Sequence, residues 1–285
     1  MSTILLTGAA GYLGQHIATS LRRSDHTVLE ASRRNGFELA SPTWPVSQPV
    51  DTLIHAAWDM TATRWTEIEK VNVQGSLRLF DRAHAHQVRQ IIFISSMSAY
   101  ADAKSRYGRA KFFVEERLHK LVGCSVRPGL VYSIAPGGML GSLRQLVKKL
   151  PVLPVIDGGA QVLYPCHVED LSGLICWAVE HADQASGRVF AAASREGFSF
   201  RTILELTATR DGRRPLFFSL PFIFVYGPLR LAEYAGLRLR LKSDSLVSLL
   251  NQNPDPDFSS TEIFHQAFRP GFLNILPEKI ANTGT

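Results

Sequence analysis

The chain has 285 residues, of which 45% are hydrophobic and 20% are charged, and this composition is typical of a globular protein with a sizeable apolar core. It excludes a disordered, collagen-like or coiled-coil protein. The formal net charge of +6 is too small at this length to indicate nucleic acid as a partner.

Short apolar runs alternate with amphipathic segments from Thr3 to about Val131, which is the pattern of a parallel sheet covered by helices. Two of the runs, Ile4–Leu6 and Ile91–Ile94, are continuously apolar, as expected for strands buried on both faces. The predicted strands are Thr3–Leu6, Thr27–Ala31, Thr52–Ala56, Gln90–Ser95 and Cys124–Arg127, and the predicted helices are Gly11–Arg23, Thr66–His86 and Tyr107–Lys120.

A glycine-rich motif, TGAAGYLG, lies between the first predicted strand and the first predicted helix. Glycines let the backbone turn sharply and approach a pyrophosphate, whose charge the free N–H groups of a helix N-terminus stabilise. The spacing is GxxGxxG and not the general GxGxxG, but its position directly after the first strand predicts dinucleotide binding. The residues predicted to contact the cofactor here are Gly8, Gly11, Tyr12, Leu13 and Gly14.

The second predicted strand ends near Ser32, Arg33 and Arg34. An NAD site usually places an acid here to hold the ribose 2′-hydroxyl, and no acid is present. Ser32 cannot repel a phosphate, and the two arginines can hold the 2′-phosphate of NADP through charge-assisted hydrogen bonds. We therefore predict NADP, and NAD remains the alternative if both arginines are ordinary surface residues.

Tyr107 and Lys111 stand four residues apart at a predicted helix start and so share one helical face. An unperturbed tyrosine has a pKa of about 10, too high for a base at neutral pH, and a neighbouring ammonium would favour its anion. Ser95 and Ser96, at the end of the preceding apolar strand, supply a hydroxyl that can polarise a carbonyl.

Further motifs make the sequence resemble the extended short-chain dehydrogenase/reductase superfamily, in its nucleotide-sugar epimerase/dehydratase branch. The likeness covers nearly the whole chain, and the motifs together are specific. Besides the glycine motif they are DTLIHAA from Asp51 (similar to DxVIHxAA), NVQGS from Asn72 (similar to NVxGT), SSMSAY from Ser95 (similar to SSxxVYG), RPGLVY from Arg127 (similar to RPxxVYG) and HVED from His167 (similar to HVxD).

The resemblance implies an α/β fold, a Rossmann-like doubly wound parallel sheet with a small C-terminal substrate-binding lobe. It assigns the catalytic hydroxyl to Ser96, so the predicted catalytic set is Ser96, Tyr107 and Lys111. The residues that it adds to the predicted cofactor contacts are Ala56, Ala57, Tyr107, Lys111 and Pro128.

The sequence departs from the family's pattern where a sugar diphosphate would bind. Leu163, four residues before His167, stands where nucleotide-sugar epimerases tend to carry an arginine. Tyr107 follows Ser96 by eleven residues, a shorter spacing than the family usually has, which predicts a more open pocket. A sugar nucleotide is therefore the leading substrate class only because of the resemblance to this family.

The resemblance implies an NAD(P)-dependent epimerase/dehydratase-type oxidoreductase that transfers hydride at a carbinol or ketone carbon. Two alternatives stay open, an NADPH-dependent reductase of a hydrophobic ketone and a non-catalytic NADP-binding subunit or redox sensor. The sequence does not separate epimerisation, dehydration and reduction. We expect residues 1–132 to form the dinucleotide-binding core and residues 133–285 mainly the substrate-binding lobe, with some segments returning to the core.

The segment Pro215–Tyr226 is strongly apolar but only about half the length of a membrane span. We predict a buried helix or a wall of the substrate pocket. The alternative is a membrane-facing or hydrophobic-substrate surface, which would suit the nearby basic residues Arg230, Arg238, Arg240 and Lys242.

The remaining sequence features predict location and partners. Three cysteines are too few and too odd in number for a disulfide framework, which favours a reducing, cytoplasmic setting. No export signal, membrane span or metal-ligand spacing is found, and we expect a small-molecule substrate, no nucleic acid and no stable membrane insertion. A homodimer stays open. His55 and His167 are predicted to be structural.

Overall fold

The computed structural model describes residues 1–121, 123–133, 138–237, 239, 241–266 and 268–269. In the first half of the chain every predicted strand and helical region is present, with bounds within two residues of those predicted. The strands β1–β5 are Thr3–Thr7, Thr27–Ala31, Thr52–His55, Gln90–Ile94 and Gly123–Pro128. The helices α1–α4 are Tyr12–Arg23, Trp65–Ile68, Gln74–Ala85 and Arg106–Leu118, with a π-helical turn at Glu69–Val73 between α2 and α3.

The second half consists of shorter elements, as the frequent prolines and glycines predict. The strands β6–β12 are Leu130–Tyr132, Val152–Ile156, Val162–Leu163, Pro165–His167, Val189–Ala192, Phe198–Ser199 and Leu216–Leu220. The helices α5–α10 are Gly138–Lys149, Val168–Glu180, Ala182–Ala185, Phe200–Arg210, Phe222–Tyr234 and Ser243–Leu250.

Six parallel strands form the central sheet in the order β10-β5-β4-β3-β1-β2. The fold is therefore α/β with a Rossmann-like sheet, and β10 is a segment of the second half that returns to the core. The strand order reverses at β1, between β2 and β3. Because crossover loops diverge at such a point, a crevice opens there at the carboxyl ends of the strands.

Alternate residues of the strands feed two apolar cores on opposite faces of the sheet. Ile4 and Leu6 of β1 pack with Ile17 and Leu21 of α1 on one face. Leu5, the residue between them, packs on the other face with Leu79 of α3 and further residues of α4. Helices thus cover both faces, which explains the continuous apolar runs of the central strands β1 and β4.

Outside the central sheet, the described part of the second half forms three two-stranded sheets, and we call this region of the chain the C-terminal lobe. Strands β6 and β9 pair in parallel, β7 and β12 pair in parallel, and β8 and β11 pair antiparallel. Leu163 is completely buried here, in a cluster with Leu130, Tyr132 and Ile203. It therefore packs inside the lobe and lines neither of the two cavities described below.

The prediction of a buried helix or pocket wall at Pro215–Tyr226 is wrong. The segment forms β12 and the first turns of α9, and no residue of α9 is buried. Hydrophobicity along a sequence does not reveal whether the fold supplies a partner, and Leu216 and Phe224 remain 70% and 69% exposed. Of the basic residues noted beside this segment, Arg238 and Arg240 lie outside the described residues. Within the described ranges, no helix has both the length and the apolar character to cross a membrane.

Candidate active site

The glycine loop packs tightly against the end of β3. Gly8 has a φ of +73°, and a Cβ atom there would lie 2.6 Å from the backbone nitrogen of Ala57. A Cβ atom on Gly14 would lie 2.3 Å from the carbonyl oxygen of Gly8. Both positions need glycine, because any side chain would separate the loop from its neighbouring backbone. Gly11 precedes α1 and provides no side-chain cap, so the helix N-terminus is available to an anion.

The loop borders a cavity of about 450 Å³. Glu38 also borders it, an acid near the arginines that the sequence prediction did not consider. Of the predicted cofactor contacts, the cavity is lined by Gly8, Gly11, Ser32, Arg33, Arg34, Ala56 and Ala57.

Two hydrogen bonds of Asn35 fix the backbone conformation at Ser32, Arg33 and Arg34. The N–H of Ser32 donates to Asn35 Oδ1 at 2.7 Å, and Asn35 Nδ2 donates to the carbonyl of Glu30 at 2.5 Å. Arg33 and Arg34 form the start of a short 3₁₀ turn and are exposed. Their guanidinium groups are therefore presented at the cavity by a locally fixed backbone.

A second cavity, of about 290 Å³, adjoins the first, and Trp58 and Asp59 line both. It lies at the carboxyl ends of β4 and β5. Gly14 and Lys111 border neither cavity, because Gly14 is packed against the loop and Lys111 is buried. The predicted residues that line this second cavity are Tyr12, Leu13, Ser96, Tyr107 and Pro128.

Ser96 and Tyr107 both line this cavity, within hydrogen-bonding distance of each other. Burial raises the pKa of the Tyr107 phenol to about 12, and a hydrogen bond with Ser96 acts in the opposite direction. The backbone N–H of Ser98 also donates to Ser96 Oγ at 3.2 Å. At neutral pH the phenol is protonated and can donate.

Lys111 is buried behind the phenol. Its Nζ donates to the carbonyl of Ile94 at 2.6 Å and lies 4.0 Å from the centre of the Trp58 ring. Burial lowers the pKa of Lys111 to about 7, and the carboxylate of Glu115 acts in the opposite direction. The predicted effect of this ammonium on the phenol is not seen, because burial dominates and the pKa of Tyr107 is raised.

Trp58 was not singled out from the sequence, although it follows the HAA motif. Its ring centre lies 5.9 Å from that of Tyr107 and 6.2 Å from that of Phe93. It stands between the two cavities and covers the Lys111 ammonium, a cation–π contact. The HAA motif gives the position of the strand end but not the direction of this side chain.

Asp244 of α10 is a second residue that sequence reasoning missed. Its Oδ1 accepts the N–H of Arg106 at 2.8 Å, and its Oδ2 accepts the N–H of Tyr107 at 2.9 Å. These are unsatisfied N–H groups at the start of α4, where a carboxylate is stabilising. The C-terminal lobe therefore fixes the helix turn that carries Tyr107.

The two histidines have structural partners. His55 is completely buried between Thr7 Oγ1 at 2.7 Å and Ser76 Oγ at 2.8 Å, and burial lowers its pKa to about 3. His167 caps α6 by accepting the N–H of Glu169 at 3.3 Å. These contacts agree with the structural roles that the sequence predicts.

The two cavities fit a dinucleotide. The glycines leave room for close approach of a pyrophosphate beside an uncapped helix, and the arginines stand at the far end. Ser95 Oγ is buried at the second cavity without a hydrogen-bond partner among the described residues. Such an orphaned hydroxyl suits a polar group of a ligand.

Comparison with known proteins agrees with this geometry. The model of the NAD dependent epimerase/dehydratase family matches residues 4–193, well over half of the chain, and the chain therefore belongs to this family. Members are NAD(P)-dependent epimerases, dehydratases and reductases. The protein is accordingly an NAD(P)-dependent enzyme of the short-chain dehydrogenase/reductase class.

Individual relatives cover several activities. The chain is 26% identical over 244 residues to a ceramide reductase of Caulobacter vibrioides, which covers 76% of this chain and 73% of the relative. The structure of Thermus thermophilus UDP-glucose 4-epimerase with NAD covers 87% of this chain and 97% of that one, with 18% identity and a TM-score of 0.60. The structure of RMD from Pseudomonas aeruginosa with NADPH covers 88% and 97%, with 16% identity and a TM-score of 0.64. The two structures support the fold alone.

Proposed function

We propose that the protein is an NADP-dependent reductase that transfers hydride to a ketone carbon of a substrate with a largely apolar body. The observation that carries this proposal is the lining of the second cavity. Trp58, Met60, Leu130 and Leu249 contribute much of it, around the hydroxyl groups of Ser96 and Tyr107. An apolar pocket with a few convergent polar groups is the usual form of a small-molecule site.

The charged groups at this cavity are already engaged. In the described lining they are Asp59, Lys242 and Asp244. Lys242 Nζ donates to the carbonyl of Met60, and Asp244 accepts the two N–H groups of α4. Lys242 thus uses one of its three N–H donors, and no arginine is found in the described lining. A single, partly engaged cation would replace little of the hydration of a diphosphate, which is unfavourable. The similarity to a ceramide reductase supports an apolar substrate.

The residues that would hold the cofactor lie around the first cavity. Gly8, Gly11 and the N-terminus of α1 would hold the pyrophosphate, and Arg33 and Arg34 would hold the 2′-phosphate. The reduced nicotinamide, when bound, supplies the hydride. Trp58 and Asp59 line the passage between the cavities, so the nicotinamide end would lie beside Ser96 and Tyr107.

The proton chemistry is assigned to this chain's own residues. Ser96 donates a hydrogen bond to the ketone oxygen and polarises the carbonyl. Tyr107, protonated at neutral pH, donates its phenolic proton to the same oxygen as the carbon receives hydride, which gives the alcohol. Lys111 lies behind Tyr107 with its Nζ held by the carbonyl of Ile94, and the phenolate that remains takes up a proton from solvent, which restores the phenol.

A sugar nucleotide is the second candidate substrate. It is favoured by the family match over residues 4–193 and by the motifs of the nucleotide-sugar branch. With that substrate the same Ser96 and Tyr107 would act on a sugar hydroxyl or ketone, and the net reaction would be epimerisation or dehydration. The two candidates differ in whether a nucleoside diphosphate binds.

The test combines ligand identification with kinetics. Mass spectrometry of small molecules released from the denatured protein identifies what co-purifies. NADPH consumption is then followed with long-chain ketones, and conversion of UDP-sugars is followed by chromatography, because epimerisation and dehydration consume no net cofactor. We expect turnover of a ketone and no calorimetric binding of UDP. Tyr107→Phe should keep NADPH binding and lower turnover by about 10²- to 10⁴-fold. Low-micromolar UDP binding would favour the sugar nucleotide, and unchanged turnover in Tyr107→Phe would contradict the catalytic assignment.

A further inference from the structure

Helix α9 has its apolar residues facing outward. Phe224 is 69% exposed, Leu231 is 73% exposed and Tyr234 is 92% exposed. The carboxylate of Glu233 is instead turned inward, where it accepts the N–H and the hydroxyl of Ser243, both at 2.7 Å. A surface helix in water normally shows the opposite arrangement, with its charges outward.

The neighbouring strands repeat this arrangement. In the parallel pair of β7 and β12, Val152 lies opposite Leu216 and Pro154 lies opposite Phe218, and all four side chains are exposed. The intervening Leu153 and Val155 point into the lobe and are buried. An exposed sheet face normally carries polar side chains. We call the exposed apolar side chains of β7, β12 and α9 the outer apolar surface.

Basic side chains stand at one edge of this surface. Lys149 precedes β7 and Arg213 and Arg214 precede β12, and all three are exposed. Because the strands are parallel, with the N–H of Leu216 donating to the carbonyl of Pro151 at 3.0 Å, these residues share one end of the pair. The neighbouring acid Asp211 is occupied by Arg144 at 2.5 Å and Lys148 at 3.8 Å.

The apolar character continues from α9 to the second cavity. Leu237, Leu239 and Leu241 follow the helix and are exposed, and the next residue, Lys242, lines the cavity. Lys242 also holds the carbonyl of Met60, itself an exposed apolar residue of the lining. A chain segment with exposed apolar side chains therefore leads from the outer apolar surface to the mouth of the cavity.

We propose that the outer apolar surface binds the headgroup region of a lipid bilayer that contains anionic lipids. Exposed aromatic and aliphatic side chains beside a basic edge are the composition of surfaces that lie in the membrane interface. Helix α9 has 13 residues, fewer than the roughly 20 of a spanning helix, so it lies along the interface. The proposal does not depend on the proposed reaction.

The charges favour lipid over a second copy of the chain. In an isologous contact each copy would present the same basic edge, so Arg213, Arg214 and Lys149 would gain no opposite charge. Asp157, at the other end of β7, already accepts the N–H of Phe222 at 3.3 Å. Among the described residues no salt bridge engages these three cations, and anionic headgroups would supply the opposite charge.

Flotation of the full chain with vesicles tests the proposal. We compare phosphatidylcholine alone with phosphatidylcholine and phosphatidylglycerol at about three to one. The unmodified chain should float with the anionic vesicles, and less so at high salt. Arg213→Gln combined with Arg214→Gln should weaken binding by roughly 30-fold. The control, Arg117→Gln with Lys120→Gln, changes two exposed residues at the end of α4 and just after it and should not weaken binding.

The apolar contribution is tested separately. Leu216→Glu with Phe224→Glu should abolish flotation without lowering the melting temperature, since both side chains are exposed, and Phe113→Glu on α4 is the matched control. The proposal is overturned if the unmodified chain does not float or if the variants float equally well. It is also overturned if light scattering shows that the unmodified chain is a dimer and that this double variant is a monomer. A fall in the melting temperature of the double variant as large as that of a core substitution would overturn it too. In both cases the surface would be covered by protein.

Discussion

Replacing Asp244 tests whether the C-terminal lobe positions the candidate catalytic tyrosine. The carboxylate accepts the N–H groups of Arg106 and Tyr107 at 2.8 and 2.9 Å. Asp244→Ala removes both acceptors and the negative charge at the start of α4. Asp244→Asn removes the charge and keeps one carbonyl acceptor, so the two variants separate the contributions.

The expected loss follows from these contacts. A hydrogen bond to a charged group contributes about 1.5 kcal/mol or more when buried; Asp244 is half-buried, so about 1 kcal/mol for each bond is appropriate. Asp244→Ala should therefore lower the free energy of unfolding by about 2 kcal/mol, with a small further loss from the helix dipole. Asp244→Asn should lower it by about 1 kcal/mol.

Urea denaturation of the purified variants measures these differences, and Asp255→Ala, an exposed aspartate in the loop after α10, is the control. NADPH fluorescence should show cofactor binding close to that of the unmodified chain, because the glycine loop is untouched. With a substrate in hand, kcat should fall because the Tyr107 hydroxyl is less well positioned. If Asp244→Ala is as stable as the control, the contact with α4 does not hold the turn, and the reasoning fails.

Three further predictions follow from the site. Titration should show tighter binding of NADPH than of NADH, and Arg33→Ala should reduce this difference in affinity. A preference for NADH in the unmodified chain would contradict the assignment of NADP. Gly8→Ala should lose NADPH binding in the same assay, because its Cβ would lie 2.6 Å from the backbone nitrogen of Ala57. Unchanged affinity would show that NADPH binding does not require this close packing of the glycine loop. Because the folded pKa of Lys111 is about 7 against an ordinary 10.5, the unfolded chain binds more protons between these values and stability should rise with pH there. Lys111→Met should remove part of that rise, which urea denaturation at several pH values measures. If the free energy of unfolding rises with pH equally steeply in the variant and the unmodified chain, the burial of Lys111 is contradicted.

The sheet and the glycine loop were predictable because their signals are local. Strands buried on both faces are apolar at every position, so Ile91–Ile94 stands out from its neighbours without knowledge of the fold. The loop at Gly8 is equally local, since the backbone conformation that excludes side chains is set within a few residues. These two signals give the position of the cofactor cavity at the end of β1.

The contacts that complete the second cavity were not predictable in this way. Asp244 reaches Tyr107 across 137 residues of sequence, and no local pattern distinguishes it from other aspartates near a helix start. The exposure of Phe224 was missed for a related reason. An apolar run predicts that a partner is needed, but the sequence does not say whether the chain or another molecule supplies it.

The direction of proton transfer is the property on which the sequence pattern and the structure differ most. Spacing alone predicts that Lys111 lowers the pKa of Tyr107, since the two share a helical face. In the structure both groups are removed from water, and burial disfavours each charged form, which raises the pKa of the phenol to about 12 and lowers that of the amine to about 7. The proton therefore resides on the phenol throughout the neutral range. A phenol that holds its proton beside Ser96 is in the form that can donate to a ketone oxygen, which agrees with the proposed role of Tyr107 as the acid in a reduction.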